Sequence, residues 1–186
     1  MLKATVTLGI GPAGIGTKTM LDFLAQLAKN HCSRFADRGE IISHHIAEKT
    51  EFGLRLKRHQ QNPAQIPSEL ILTATLAWVL EQEAVLGTQN FFLAGFPMKL
   101  DEATMWRYVA PRVRVITLVP DDNHETPHLT PFNGHVLRLS RSQPIRERLE
   151  AAIEHVNAPA ETRFRWQAHL KDHKHPVRQA IKKMGN

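Results

Sequence analysis

The chain has 186 residues, 42% apolar and 23% charged, with 24 Lys and Arg against 18 Asp and Glu, a formal charge of +6 and eleven histidines. That length can bury a substantial core, and no run approaches the ~18 apolar residues of a membrane-spanning helix. A single cysteine, Cys32, excludes an internal disulfide and a thiolate-rich metal centre, so a cytoplasmic location is the simplest expectation; the amino terminus lacks the pattern of a cleavable leader.

Residues 3–8 alternate apolar and β-branched side chains and predict a strand, broken by the glycines that begin at Gly9. Met20, Leu21, Leu24 and Leu27 then recur at helical spacing. Pro67, Ser68 and Glu69 open a second helix that runs to about Val85 and is ended by Gly87, proline and a carboxylate both suiting a first turn. Residues 89–94 read as a buried strand, 101–109 as a helix, and 113–119 as a strand with little polarity, as expected where both faces of a parallel sheet are covered. Three prolines make 120–134 a loop; 135–139 is a short strand and 143–156 a helix. Beyond Pro159, residues 164–170 alternate in a strand-like way and Pro176 begins a last short helix. Strands alternating with helices predict an α/β fold with a mostly parallel sheet.

Charge is unevenly spread. Between Arg138 and Lys183 eleven basic residues face five acidic ones, an excess equal to that of the whole chain. The carboxy-terminal region therefore suits nucleic acid or an acidic protein, or else forms a solvated basic surface.

Gly11 and Gly16 stand where a G-x-x-x-x-G loop between strand and helix would cradle phosphate with backbone N–H groups. The full motif places lysine directly after the second glycine; here Thr17 stands there, and Lys18 and Thr19 follow. One residue turns a helical side chain by ~100°, so Lys18 need not reach the phosphates that Thr17 faces.

Further residues carry a resemblance. Gly11-Pro12-Ala13-Gly14-Ile15-Gly16-Thr17-Lys18-Thr19 resembles the adenylate kinase loop G-x-P-G-x-G-K-G-T, and Phe91-Phe92-Leu93-Ala94-Gly95-Phe96-Pro97 is similar to that family's strand ending in D-G-F-P-R. Glu48-Lys49-Thr50-Glu51-Phe52-Gly53 with Gln65-Ile66-Pro67-Ser68-Glu69-Leu70 looks like its nucleoside-monophosphate arm, a short helix closed by glycine and then L-V-P-D-E-L. The three stretches keep the family's order over residues 1–119.

The resemblance implies a P-loop three-layer sandwich with about five parallel strands over 1–156, an arm-like insertion at about 38–68, and a basic extension over 157–186. It implies ATP or ADP, with Mg2+, on Gly11, Pro12, Ala13, Gly14, Ile15, Gly16, Thr17, Lys18 and Thr19, with Lys18 as the candidate catalytic group. Ile66, Gly95 and Glu102 fall at monophosphate-binding positions, and no metal site made by the protein itself is expected. The departures concern charge: Thr17 replaces the phosphate lysine, Ala94 the magnesium-organising aspartate, Met98 the arginine after G-F-P, Glu102 the base-reading glutamine, and Ser43, ending Gly39-Glu40-Ile41-Ile42-Ser43, a second arginine. Transfer of phosphoryl from ATP to a nucleoside monophosphate depends on such charges, so it is expected to be weak or lost while nucleotide binding persists. The alternative is a non-catalytic assembly subunit that docks through 157–186.

The lid is expected to be short or absent, because only 120–134 separates the fourth strand from a fifth at 135–139. A competing register makes Arg138 and Arg148 lid-edge arginines and moves the fifth strand to 164–170; the first matches the family's strand-then-helix ending without gaps. Other groups suggest less. His169, His173 and His175 could share a helical face but have few acidic partners, and Asp121-Asp122 beside His124 reads as a polar loop opening. His44 and His45 are expected to face solvent, Cys32 to pack, and Trp78, Trp106 and Trp166 to lie in the core or an interface.

Overall fold

The computed structural model describes residues 4–28, 32–62, 65–110, 113–121, 124–132 and 135–157. In chain order they form β1 (Thr5–Ile10), α1 (Thr17–Leu27), β2 (Ser33–Asp37), α2 (Arg38–Ala47), α3 (Glu51–Lys57), α4 (Ser68–Leu86), β3 (Asn90–Ala94), α5 (Leu100–Val109), β4 (Arg114–Val119), a 3-10 segment (Pro127–Phe132), β5 (Val136–Ser140) and α6 (Ile145–Asn157). The strands make a five-stranded sheet in the order β2-β3-β1-β4-β5, with every neighbouring pair parallel.

The period of two along each strand divides the side chains between two cores. Phe91, Leu93 and Val115 point into one, built with α2 to α5 and the 3-10 segment; Phe92, Ala94, Ile116 and Leu118 point into the other, built with α1 and α6. Burial on both faces is why β3 and β4 read as near-continuous apolar runs. The three-layer α/β sandwich expected from the sequence is thus the fold, and the fifth strand lies at Val136–Ser140, in the first of the two registers. Residues 164–170, Trp166, the His169 cluster, the helix at Pro176 and the rest of the basic extension lie outside the described residues.

Several local expectations need correction. β1 runs past Gly9, which pairs with Ala94 and Ile116 inside the sheet; a Cβ there would lie 2.2 Å from Leu21 Cδ1, so the glycine permits α1 to pack on the strand. β2 was not legible as a strand: Ser33, Arg34 and Phe35 are only half-buried, and β2 pairs with β3 alone. Gly53 does not close a helix but sits within α3, where an added Cβ would fall 1.9 Å from the His45 carbonyl oxygen at the crossing of α2 and α3. His45 does not face solvent: it is buried, with Nε2 2.8 Å from the Ala74 carbonyl oxygen and Nδ1 3.1 Å from Thr50 Oγ1. His44 lies 3.0 Å from Glu81 Oε2. Cys32 is exposed, at a positive φ of 48°, and contributes its carbonyl to the Gln89 N–H rather than its thiol to the core. Trp78 and Trp106 are core residues, as expected.

Candidate functional site

Connections leave β1 and its neighbour β3 toward opposite faces, α1 to one core and α5 to the other. Such a divergence opens a crevice at the carboxyl ends of adjacent parallel strands, where ligands of α/β folds gather. Here the Gly95 N–H bonds the Gly9 carbonyl at 2.8 Å and closes the floor of that crevice. Above it is a cavity of about 480 Å³, lined by Gly11, Pro12, Ala13, Gly14, Gly16, Thr17, Lys18 and Thr19 on the loop side and by Asp37, Arg38, Gly39, Ala94, Gly95 and Met98 on the other.

The loop is shaped by its glycines. Gly14 and Gly16 take φ of 78° and 97°, values that L side chains resist, and Gly16 is the left-handed N-cap of α1. The first helical bond runs from the Met20 N–H to the Gly16 carbonyl, so the N–H groups of Thr17, Lys18 and Thr19 have no intrahelical acceptor. With the positive end of the helix dipole they form an anion-attracting rim, and no acidic residue occupies the first turn of α1 to compete.

The displaced lysine goes where the helical phase sends it. Lys18 projects outward and pairs with the Asp37 carboxylate, the last residue of β2. The hydrogen bond and charge of Asp37 raise the Lys18 ammonium above its usual pKa. Burial by itself would raise the Asp37 carboxyl; the hydrogen bonds from Lys18 and the Glu40 N–H outweigh it and hold the group below the usual carboxylate range. Asp37 is also the N-cap of α2, with Oδ1 accepting from the Glu40 N–H at 2.8 Å, which sets the carboxylate's orientation. Thr17 takes the inward phase: its hydroxyl oxygen is buried without a hydrogen-bond partner, and a Cβ at Gly11 would lie 2.5 Å from it. Thr19 is exposed at the rim.

Glu102 is fully buried beneath the cavity's far wall and engaged throughout. Its two carboxylate oxygens take Arg38 Nη2 at 2.9 Å and Nη1 at 3.0 Å in a bidentate pair, and Oε2 also accepts the Met98 N–H at 2.8 Å. The Arg38 guanidinium lies 5.3 Å from the Phe96 ring centroid. Arg38 is the residue that sequence reasoning missed. The resemblance implies arginine at Ser43 and Met98, yet the arginine of this site stands directly before Gly39, and its signal in the sequence is the basic residue beside that glycine.

Of the candidate residues, the loop set except Ile15 lines the cavity together with Gly95; Ile15 packs against the α1 and α6 core. Ile66 is buried in the other core, its carbonyl 3.4 Å from Lys99 Nζ, and neither it nor Glu102 reaches the cavity wall. Among the described residues no group of three or more His, Cys, Asp or Glu could hold a metal, and no helix is long and apolar enough to cross a membrane. No known protein family matches the chain, and no curated protein matches it either.

Proposed function

We propose that this chain is a divergent P-loop protein similar to adenylate kinases, which binds ATP or ADP through its β1–α1 loop and has little or no capacity to phosphorylate a nucleoside monophosphate. The observation that carries the reading is the cavity of about 480 Å³ at the junction of β1 and β3, lined by Thr17, Lys18 and Thr19, whose N–H groups in the first turn of α1 have no intrahelical acceptor. Backbone N–H donors at a helix N-terminus attract phosphate, and the first turn of α1 supplies them without a competing acidic side chain. Magnesium fits as a companion of the nucleotide, with most of its ligands from phosphate and water and the Thr19 hydroxyl as the rim oxygen that would hold it; its role there is to neutralise charge on the phosphates.

The low transfer activity follows from what the charged groups already do. Phosphoryl transfer relies on cations free to follow charge onto the transferring group. Lys18 is held by Asp37 and Arg38 by Glu102, while Ala94 and Met98 bring no charge to the end of β3. The same internal pairing favours a second reading, a non-catalytic assembly subunit that uses the fold as a scaffold and residues 157–186 to engage nucleic acid or an acidic protein.

Calorimetric titration with ATP, ADP and AMP, with and without magnesium, separates the two. Micromolar binding of ATP or ADP supports the nucleotide reading. No heat with any of the three sinks it and turns attention to the basic tail, whose nucleic-acid binding would then fall steeply with salt and disappear on deletion of 157–186.

A further inference from the structure

The two halves of the cavity differ in electrostatic character. The loop half offers N–H donors, whereas the half at the ends of β2 and β3 offers a carboxylate. Arg38, the cation on that side, has both terminal nitrogens on the buried Glu102, and Lys18 at the rim is itself paired with Asp37. A phosphate monoester entering there would lie beside the Asp37 carboxylate with no uncommitted cation among the lining residues to hold it. A hydroxyl group meets the opposite situation, because it can donate a charge-assisted hydrogen bond to the carboxylate. Ala94, Gly95 and Met98 supply a small, uncharged wall for the carbon skeleton that carries it.

We propose that the half-cavity at the ends of β2 and β3 binds an uncharged, hydroxyl-bearing small molecule, recognised by Asp37, and disfavours a phosphate monoester. The inference rests on nucleotide binding at the loop, which leaves a second occupant the space beside Asp37; Lys18 and the Glu40 N–H each take one carboxylate oxygen, and each oxygen keeps a lone pair for the hydroxyl. It differs from the acceptor implied by the sequence resemblance, and the difference lies in the carboxylate of Asp37 and in the missing or committed arginines at Ser43, Met98 and Arg38.

The test begins with the full-length protein and ADP in magnesium. Once ADP binding is established, the ADP-saturated protein is titrated with matched pairs: adenosine and AMP, glucose and glucose 6-phosphate, glycerol and glycerol 3-phosphate. In at least one pair the uncharged member is expected to bind tenfold or more tightly than its phosphorylated partner. The variant Asp37→Asn keeps a side-chain oxygen to cap the Glu40 N–H and so retains the start of α2; it should reduce that preference to within about threefold. Tighter binding of the phosphorylated members, binding of no member, or an unchanged preference in Asp37→Asn overturns the inference while leaving nucleotide binding intact. Absence of ADP binding at the outset removes the nucleotide reading, and this inference with it.

Discussion

The Arg38–Glu102 pair is the most consequential contact of individual residues outside the loop. Glu102 has a side chain 1% exposed and Arg38 one 11% exposed, so neither charge has access to enough water to stand alone. Removing one partner of a buried pair strands the other and costs about 3–5 kcal/mol, whereas removing both charges can be close to neutral. Arg38→Met should therefore lower the unfolding free energy by about 3 kcal/mol, measured by urea denaturation. Adding Glu102→Gln should restore more than half of that loss, because glutamine still offers an oxygen to the Met98 N–H. Equal losses in the single and double variants would mean that Arg38 contributes packing over Phe96 rather than charge compensation. The pair also explains why Glu102 does not line the cavity: its hydrogen-bonding capacity is met from within the fold.

At the scale of elements, the packing of α3 on α2 depends on Gly53. Its position within α3 puts the missing Cβ 1.9 Å from the His45 carbonyl oxygen, a backbone atom that cannot rotate away. Gly53→Ala must push the helices apart, disturbing His45 and Phe52, whose rings meet edge to face at 5.8 Å. Overpacking of this kind costs about 1–3 kcal/mol, and the upper part of that range is expected here because the obstacle is main chain. Gly87 makes an informative contrast. It caps α4 at φ 63° with open space where a Cβ would lie, so Gly87→Ala meets conformational strain without a clash and should cost only about 1 kcal/mol. Thermal unfolding of both variants should show the larger fall in Tm for Gly53→Ala. The reverse order would mean that α3 can move off α2 cheaply, as an arm independent of the sheet would.

For the whole molecule, acid should weaken the fold through His155. This residue is 2% exposed in α6, and burial first, then the neighbouring charges of Arg114 and His135, lowers its pKa to about 4. The unfolded chain, with an ordinary histidine pKa of ~6.5, binds the proton first as pH falls. Stability is thus fully present above pH ~6.5, declines between there and about pH 4, and loses no more to this group below that. A shift of this size corresponds to roughly 3 kcal/mol at most. His128 and His135, both lowered chiefly by burial, act with the same sign. Chemical denaturation of the wild type and His155→Gln across pH 7 to 4 isolates the contribution: the variant starts less stable but should show the flatter profile. Parallel profiles would place the acid sensitivity elsewhere.

Periodicity and composition by themselves determined the α/β class, four of the strands, α1, the helices from α4 onward and the position of the loop. These features depend on local alternation, on glycine and proline, and on apolar runs, all of which act over a few residues. The register of the fifth strand was also legible, because a strand and the helix after it occupy one short stretch of chain. β2 was not, since an edge strand with half-buried Ser33, Arg34 and Phe35 needs no apolar pattern and is made by pairing with β3, more than fifty residues away. Gly53 and His45 were not legible for a related reason: a glycine needed for a helix crossing has the same sequence signature as one that ends a helix, and His45 is buried by packing on α4, where its Nε2 meets the Ala74 carbonyl 29 residues away. At the site, the sequence located the glycine loop and the late lysine. Only the tertiary structure decided where that lysine goes and that Glu102 closes on Arg38, 64 residues away. Charge pairing across the ends of parallel strands is set by strand order, and no spacing along the chain encodes which two carboxyl ends come to lie side by side.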